Sequence, residues 1–315
     1  MRRNNKKSKI FFVTGAMGFI GTHWCKKLLK EGHFVYGLDI KKNTIKNKNF
    51  KYYKQSVFNF RLLENLIKKS DIICHFAGIA EPKLYLTNTS QVINLTVKPS
   101  FRIVELCIKY KKKILFTSTS EVYGKSTKIP FKETDDRLLG STNYSRWCYS
   151  TSKALVEHLI IAYGADKKLD YIIFRLFNVY GPGLKGRVVD NFILKALNQQ
   201  PLQINGSGNQ TRSFLYIDDC IDAFYRIFRK NIKKEIFNIG QNKEEKIKDL
   251  AKLIMKITGT KSKLILKSNQ LKKFKGFQDI ERRVPDNNKL KKAINWKPVY
   301  SLEYGLRNMI SALTK

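Results

Sequence analysis

FFVTGAMGFIG, residues 11–21, places three glycines at G-x-x-G-x-x-G spacing directly after an apolar, β-branched run. The ordinary dinucleotide fingerprint is G-x-G-x-x-G, so the context of this triplet decides its meaning. Lys9–Thr14 reads as a strand, and Ile20–Lys30 reads as a helix ending near Gly32. Without a Cβ, the loop backbone can approach a pyrophosphate, and the helix N-terminus offers unpaired N–H groups and positive potential. The next strand, Phe34–Asp39, ends on an acid 18 residues past Gly21. A carboxylate there accepts hydrogen bonds from both ribose hydroxyls of NAD and repels the 2′-phosphate of NADP. Lys41 and Lys42 lie close enough to weaken that repulsion; NAD is the expected cofactor. The plain alternative is that the glycines serve only a tight turn.

Strands and helices continue to alternate outward from this unit. Phe50–Tyr53 reads as a strand, Phe60–Lys69 as a helix, Asp71–Phe76 as a buried strand and Val92–Tyr110 as a long helix. Lys113–Ser118, Tyr149–Tyr163 and Tyr171–Phe177 follow as strand, helix and strand, the last with Arg175 inside it. Past Asn178 glycines and prolines punctuate a loop-rich region, which suits ligand-gripping surface. Asp218–Arg229 reads as a helix, Glu235–Ile239 as a strand and Ile247–Ile257 as a helix. No repeat of 20–50 residues is present, which excludes a solenoid. The expected fold is α/β: a doubly wound parallel Rossmann sheet with a smaller, mixed C-terminal substrate-binding part. Residues 1–177 are expected to form the NAD-binding domain. Residues 178–315 would mainly bind substrate, with 214–240 returning to the first domain.

The 315 residues suffice for a real core, and 43% hydrophobic content excludes a disordered chain. Lys or Arg interrupts every apolar run, so no membrane insertion is expected. MRRNNKKSK lacks the apolar stretch of a secretory signal, and the reading is a soluble, cytoplasmic protein. Five cysteines (Cys25, Cys74, Cys107, Cys148, Cys220), far apart and without C-x-x-C, argue against disulfides or a metal site. The net charge of +36 would suit a nucleic-acid binder. Yet 47 of the 61 basic residues are Lys, spread along the whole chain, whereas base readers favour clustered Arg. No nucleic-acid partner is expected; the positive field would still attract an anionic substrate.

Tyr149-Ser150-Thr151-Ser152-Lys153 is Y-x-x-x-K on a helix, which puts the ammonium and the phenol on one face. A tyrosine titrates at about 10 unperturbed, and nearby positive charge favours the phenolate, making a base. Alone, the spacing fits a core tyrosine and a solvated lysine equally well.

Together with the glycine loop, the chain resembles the extended short-chain dehydrogenase/reductase family acting on nucleotide sugars. The resemblance runs through VTGAMGFIG, GLDI, HFAG, TSTSEVYG, YSTSK, FRLFNVYGP, GRVVDNFILKAL, GSGNQTRSFLYIDD, RRVPD and NWKP. Within the family it looks most like UDP-glucuronate decarboxylases, the UDP-xylose synthases. CIKYKKKILFTSTSEVYG and SRWCYSTSK are also similar to the decarboxylase domain of the bifunctional enzyme of aminoarabinose lipid modification. UDP-galactose 4-epimerases typically have Ser-Ala-Thr where this chain has Thr119-Ser120-Glu121, and dTDP-glucose 4,6-dehydratases have Thr-Asp-Glu. Thr-Ser-Glu matches the decarboxylases, and also GDP-mannose 4,6-dehydratases and some UDP-N-acetylglucosamine dehydratases.

The resemblance implies catalytic Tyr149, Lys153, Thr119, Ser120 and Glu121. The expected cofactor set is Gly15, Gly18, Phe19, Ile20, Gly21, Asp39, Ser56, Val57, Phe76, Ala77, Gly78, Tyr149 and Lys153. The nucleotide sugar would meet Asn178, Val189, Lys195, Arg212 and Arg283, the two arginines as diphosphate clamps. Arg187 and Arg282 have the same chemistry without an assigned role. NLTVKPS departs from the family's N-V-x-G-T; Asn94 is retained, and Pro99 with Ser100 is expected to alter a helix start. His23, His33, His75 and His158 are read as structural. The helices Val92–Tyr110 and Tyr149–Tyr163 match those that pair across a two-fold in the family, implying a homodimer.

The reaction these matches imply is oxidation at C4 of UDP-glucuronate with Tyr149 as base, then loss of CO₂. The product would be UDP-xylose or a UDP-4-keto-pentose. A 4,6-dehydratase or 4-epimerase is the alternative within the family, and a non-catalytic NAD-binding regulator the alternative outside it.

Overall fold

Six strands of the computed structural model, which describes residues 8–268, 278 and 280–314, build most of one parallel sheet. They are Ile10–Thr14 (β1), Phe34–Asp39 (β2), Phe50–Lys54 (β3), Ile72–His75 (β4), Lys113–Thr119 (β5) and Tyr171–Leu176 (β6). Glu235–Ile239 pairs with β6 as the seventh. From that edge the order is Glu235–Ile239, β6, β5, β4, β1, β2, β3, with every neighbouring pair parallel. The order reverses between β1 and β4, the place where doubly wound sheets open a crevice at their carboxyl ends.

Helices cover both faces, which is why the central strands read as continuous apolar runs. Phe11 and Val13 point into a core that includes Trp24 and Leu28 of the helix Phe19–Lys30 (α1), and Phe224. Phe12, between them, points to the other face, with Leu63 and Leu66 of Phe60–Lys69 (α2). Ile173 and Phe116 lie on that second face with Ile103 and Val104 of Thr89–Lys109 (α4) and Val156 and Ile160 of Cys148–Asp166 (α5). A short helix, Pro82–Thr87 (α3), precedes α4.

The helix start expected near Pro99 lies ten residues earlier, at Thr89, and Pro99 sits inside α4. The proline ring has no N–H to give the Leu95 carbonyl. The Ser100 hydroxyl beside it bonds back to the Thr96 carbonyl and contacts His75.

Beyond β6 the structure is assembled from short pieces. Leu202–Asn205 pairs in parallel with Leu264–Lys267, and Thr211–Ser213 pairs antiparallel with Glu244–Lys246. The helices Val188–Leu197 and Ile247–Thr258 pack beside them. Among the described residues, no helix is long and apolar enough to cross a membrane.

Candidate active site

A cleft of about 1550 Å³ runs along the carboxyl ends of β1, β4, β5 and β6 toward the C-terminal part. Its floor at β1 is the glycine loop. Gly15 has φ +71°, and its N–H donates to the Leu38 carbonyl at 2.9 Å. A Cβ on Gly15 would stand 2.8 Å from the Ala77 nitrogen, and one on Gly21 would overlap the Gly15 carbonyl oxygen. Loop, helix and β4 are thus packed too closely for any side chain at either position. Gly18 caps α1, leaving the first-turn N–H groups of Phe19 and Ile20 without intrahelical partners in the cleft wall. This cradle fits a dinucleotide pyrophosphate.

Asp39 closes the loop from below, accepting from the Met17 nitrogen at 3.0 Å and the Lys41 nitrogen at 3.1 Å. Gly15, Gly18, Phe19, Ile20, Gly21, Phe76 and Gly78 line the cleft; Asp39, Ser56, Val57 and Ala77, expected with them, are not among the lining residues. Lys41 and Lys42 do line it. His75, beneath, is buried between the hydroxyls of Thr14 and Ser100, each at 2.8 Å. Burial, helped by Lys153, pushes its ring down to about 3, so it is neutral and holds loop to helix.

Tyr149 and Lys153 project from the first turns of α5 into the same cleft with Thr119, Ser120 and Glu121. Lys153 donates to the Thr117 carbonyl at 2.8 Å and lies 4.5 Å from the centre of the Phe116 ring. Burial pushes this ammonium down to about 8, against the pull of Glu157 one turn on. Burial likewise raises the Tyr149 phenol to about 12, although Arg187 and hydrogen bonds with Thr119 and Tyr85 favour its anion. Desolvation outweighs the neighbouring positive charge, and Lys153 is engaged with the β5 backbone.

Tyr85 of α3 stacks on Tyr149, ring centres 4.5 Å apart and planes within 8°. Glu121, in the 3₁₀ turn Ser120–Tyr123 after β5, meets two guanidiniums. Arg283 Nη1 lies 2.5 Å from Oε1, and Arg146 Nη2 contacts Oε2. Burial alone would raise this carboxyl, but Arg146, Arg283 and the more distant Arg212 hold it down at about 2. It is ionised at any physiological pH.

Asn178, Val189, Lys195, Arg212 and Arg283 all line the cleft. Asn178 donates to the Ser213 carbonyl at 3.1 Å, and Arg212 to the carbonyls of Thr211 and Glu281. Arg187 lines it too, its guanidinium reaching the Ala80 carbonyl. Arg282 does not: it is exposed and pairs with Glu244. Arg146 and Tyr85 were not singled out by sequence reasoning. Arg146 stands three residues before Tyr149 in RWCYSTSK, the one signal that could have found it; Tyr85 carries none.

The comparisons agree with this geometry. The NAD dependent epimerase/dehydratase family matches residues 11–240. The chain is 35% identical to a UDP-N-acetyl-alpha-D-glucosaminuronate decarboxylase of Bacillus cytotoxicus, covering 95% of each. It is 36% identical to the bifunctional polymyxin resistance protein ArnA of Wigglesworthia glossinidia brevipalpis over 97% of its own length, but spans only 51% of that protein. In structure it is similar to a UDP-glucuronic acid 4-epimerase from Bacillus cereus, solved with UDP-glucuronic acid and NAD. That match has a TM-score of 0.86 at 27% identity, covering 97% of this chain and 99% of the other. A UDP-glucose 4-epimerase from Thermotoga maritima matches with a TM-score of 0.87, also at 27% identity, covering 97% and 98%. A glycine cradle at the β1 switch point, a Tyr-Lys pair facing it, and a family match across the whole sheet have one explanation: this chain belongs to the NAD dependent epimerase/dehydratase family.

Proposed function

We propose that the protein decarboxylates a UDP-hexuronate, UDP-glucuronate in the first instance, giving UDP-xylose or a UDP-4-keto-pentose. The observation that carries this reading is the Arg146–Glu121–Arg283 cluster at the Tyr149 end of the cleft. Two guanidiniums share one carboxylate, so a positive charge is left over where a sugar carboxylate has to be received. Arg187 and Arg212 add two more in the same wall, suited to a diphosphate. The decarboxylase relative, 35% identical over 95% of each chain, supports the same reaction class.

Gly15, Gly18, Gly21 and Asp39 would hold NAD, which would supply the hydride acceptor for oxidation at C4 of the sugar and, where UDP-xylose is the product, give the hydride back to C4. Thr119 orients the 4-hydroxyl, and Tyr149 takes its proton with Lys153 as electrostatic partner. A ketone at C4 makes the C5 carboxylate a β-keto acid, whose C–C bond breaks as its electrons delocalise onto the carbonyl. Glu121, ionised, keeps the guanidiniums aimed at that carboxylate, and Ser120 handles the proton at C5. Asn178, Val189, Lys195, Arg212 and Arg283 hold the nucleotide diphosphate and sugar.

The second reading, a 4-epimerase or 4,6-dehydratase, is favoured by the likeness to UDP-sugar 4-epimerases. The test is incubation with NAD and, separately, UDP-glucuronate, UDP-N-acetylglucosaminuronate and UDP-glucose, followed by mass spectrometry. Loss of CO₂ from either uronate is expected. Unchanged mass with an inverted C4, or loss of water from UDP-glucose, would replace the decarboxylase assignment. A non-catalytic NAD-binding protein would change none of the three.

We also propose that the protein works as a cytoplasmic homodimer joined through α4 and α5. Ile93 on α4 and Leu155 on α5 are exposed apolar side chains on these adjacent helices.

A further inference from the structure

Parallel strands return every connecting helix to one end of the sheet, so its helix-to-strand turns lie opposite the cleft. The turns before β4, β5, β6 and Glu235–Ile239 are neighbours, because those four strands are adjacent. At a strand spacing of about 4.8 Å they fall within about 15 Å of one another, and the length of β5 sets them about 20 Å from the cleft. Residues 68–71, 109–113, 166–170 and 229–235 carry twelve Lys or Arg and four acids in 21 positions, against 61 and 25 in all 315. Three of those acids are already engaged. Asp71 accepts from the Ile10 nitrogen at 2.9 Å, Asp170 lies 3.7 Å from Lys113 and 3.9 Å from Lys233, and Glu235 pairs with Lys289. Lys69, Lys111, Lys168 and Lys234 are exposed, and among the described residues none of them forms an ion pair.

A helix dipole draws cations into a last turn, but these lysines run past it. Lys111 and Lys168 each stand one residue beyond the cap of their helix with φ +51° and +56°, and Lys234 has φ +52°. Glycine or asparagine adopts that backbone at less cost. Helices outside the sheet do not share the pattern: Val188–Leu197 is followed by Asn198-Gln199-Gln200, and Ile247–Thr258 by Gly259-Thr260. We propose that this amino edge of the sheet is a docking surface for an anionic lipid bilayer. Eleven of the twelve cations are Lys, point charges suited to a field of phosphates and carboxylates. The turns are two to five residues long, so no helix or ribbon projects to enter a nucleic-acid groove. Their one aromatic, Tyr110, is bonded to Glu64 and is not free to stack on a base. A chain docked by this edge keeps its cleft turned to solution, open to a soluble nucleotide sugar. The proposal is independent of which reaction the cleft performs.

The test is co-sedimentation of the whole chain with vesicles of phosphatidylcholine and phosphatidylserine in equal parts, and with vesicles of phosphatidylcholine alone. Binding to the mixed vesicles only is expected, weakening as salt screens the charges. Each lysine at an anionic bilayer contributes about fivefold to the binding constant, so Lys69→Gln/Lys111→Asn/Lys168→Asn/Lys234→Asn should weaken binding by about 10²–10³-fold. Asparagine suits the left-handed backbone at three of these positions, so the variant keeps the fold. Lys252→Gln/Lys256→Gln/Lys261→Gln/Lys263→Gln removes the same charge from exposed positions of the C-terminal part and should lose far less. Wild-type protein that stays in the supernatant, or equal losses in the two variants, would overturn the proposal. Tighter binding to polyuridylate than to the vesicles, lost in the first variant, would assign this face to nucleic acid instead.

Discussion

Arg175 is a charge inside an otherwise apolar strand, and replacing it by Met should destabilise the protein by about 3–5 kcal/mol. Its Nε lies 3.2 and 3.1 Å from the two Glu157 oxygens, and its Nη2 lies 2.7 Å from Oε2. Nη1 also donates to the Tyr123 hydroxyl at 2.9 Å and the Glu133 carbonyl at 3.0 Å. The pair is 8% and 4% exposed, so neither charge has water to fall back on. Methionine keeps the unbranched stem as far as the position of Nε and removes every one of these donors. Glu157 would then be a buried anion with Ser118, among the described residues, as its remaining side-chain hydrogen-bond partner, one turn from Lys153. Removing one member of a buried pair costs far more than removing both, because the survivor keeps its desolvation penalty. Arg175→Met combined with Glu157→Leu should therefore recover most of the loss. Urea unfolding followed by circular dichroism reads both variants. A single variant within about 1 kcal/mol of wild type, the size of one ordinary hydrogen bond, would refute the argument. A double variant no more stable than the single would refute it equally.

Tyr149→Phe keeps the ring stacked on Tyr85 and removes only the hydroxyl. CO₂ release should fall roughly 10²–10⁴-fold, while NAD binding by calorimetry stays near wild type; turnover within tenfold of wild type would make the phenol a structural group. Sedimentation equilibrium at micromolar concentration should give the mass of two chains, and the double variant Ile93→Lys/Leu155→Lys should give one. A wild-type mass of one chain would remove the dimer.

Much of the sheet was legible because its signals are local. Phe11, Phe12 and Val13 are buried on alternate faces of β1, and a strand covered on both sides has no polar position to break its apolar run. Phe34–Asp39, Phe60–Lys69 and Glu235–Ile239 have the same bounds in sequence and structure. The short strands Leu202–Asn205 and Thr211–Ser213 gave no signal, since three or four residues cannot display an alternation. Pro99 misled for the opposite reason. Its local meaning is a helix start, and the packing of α4 against β4 and β5 carried the helix through it.

In the site, sequence alone determined what depends on spacing along the chain. The glycines of residues 15–21 form one turn, Asp39 ends the neighbouring strand, and Tyr149 and Lys153 share a helix face. These follow from the backbone repeat of each element, whatever surrounds it. Tertiary structure decided what depends on distance through space. Glu121 meets Arg283 from 162 residues away and Arg146 from 25, and no periodicity encodes either contact. Burial then set the charges: the Tyr149 phenol lies at about 12, Lys153 at about 8 and Glu121 at about 2. Desolvation belongs to the assembled fold, because only packing determines how much water each group has lost and which charges replace it.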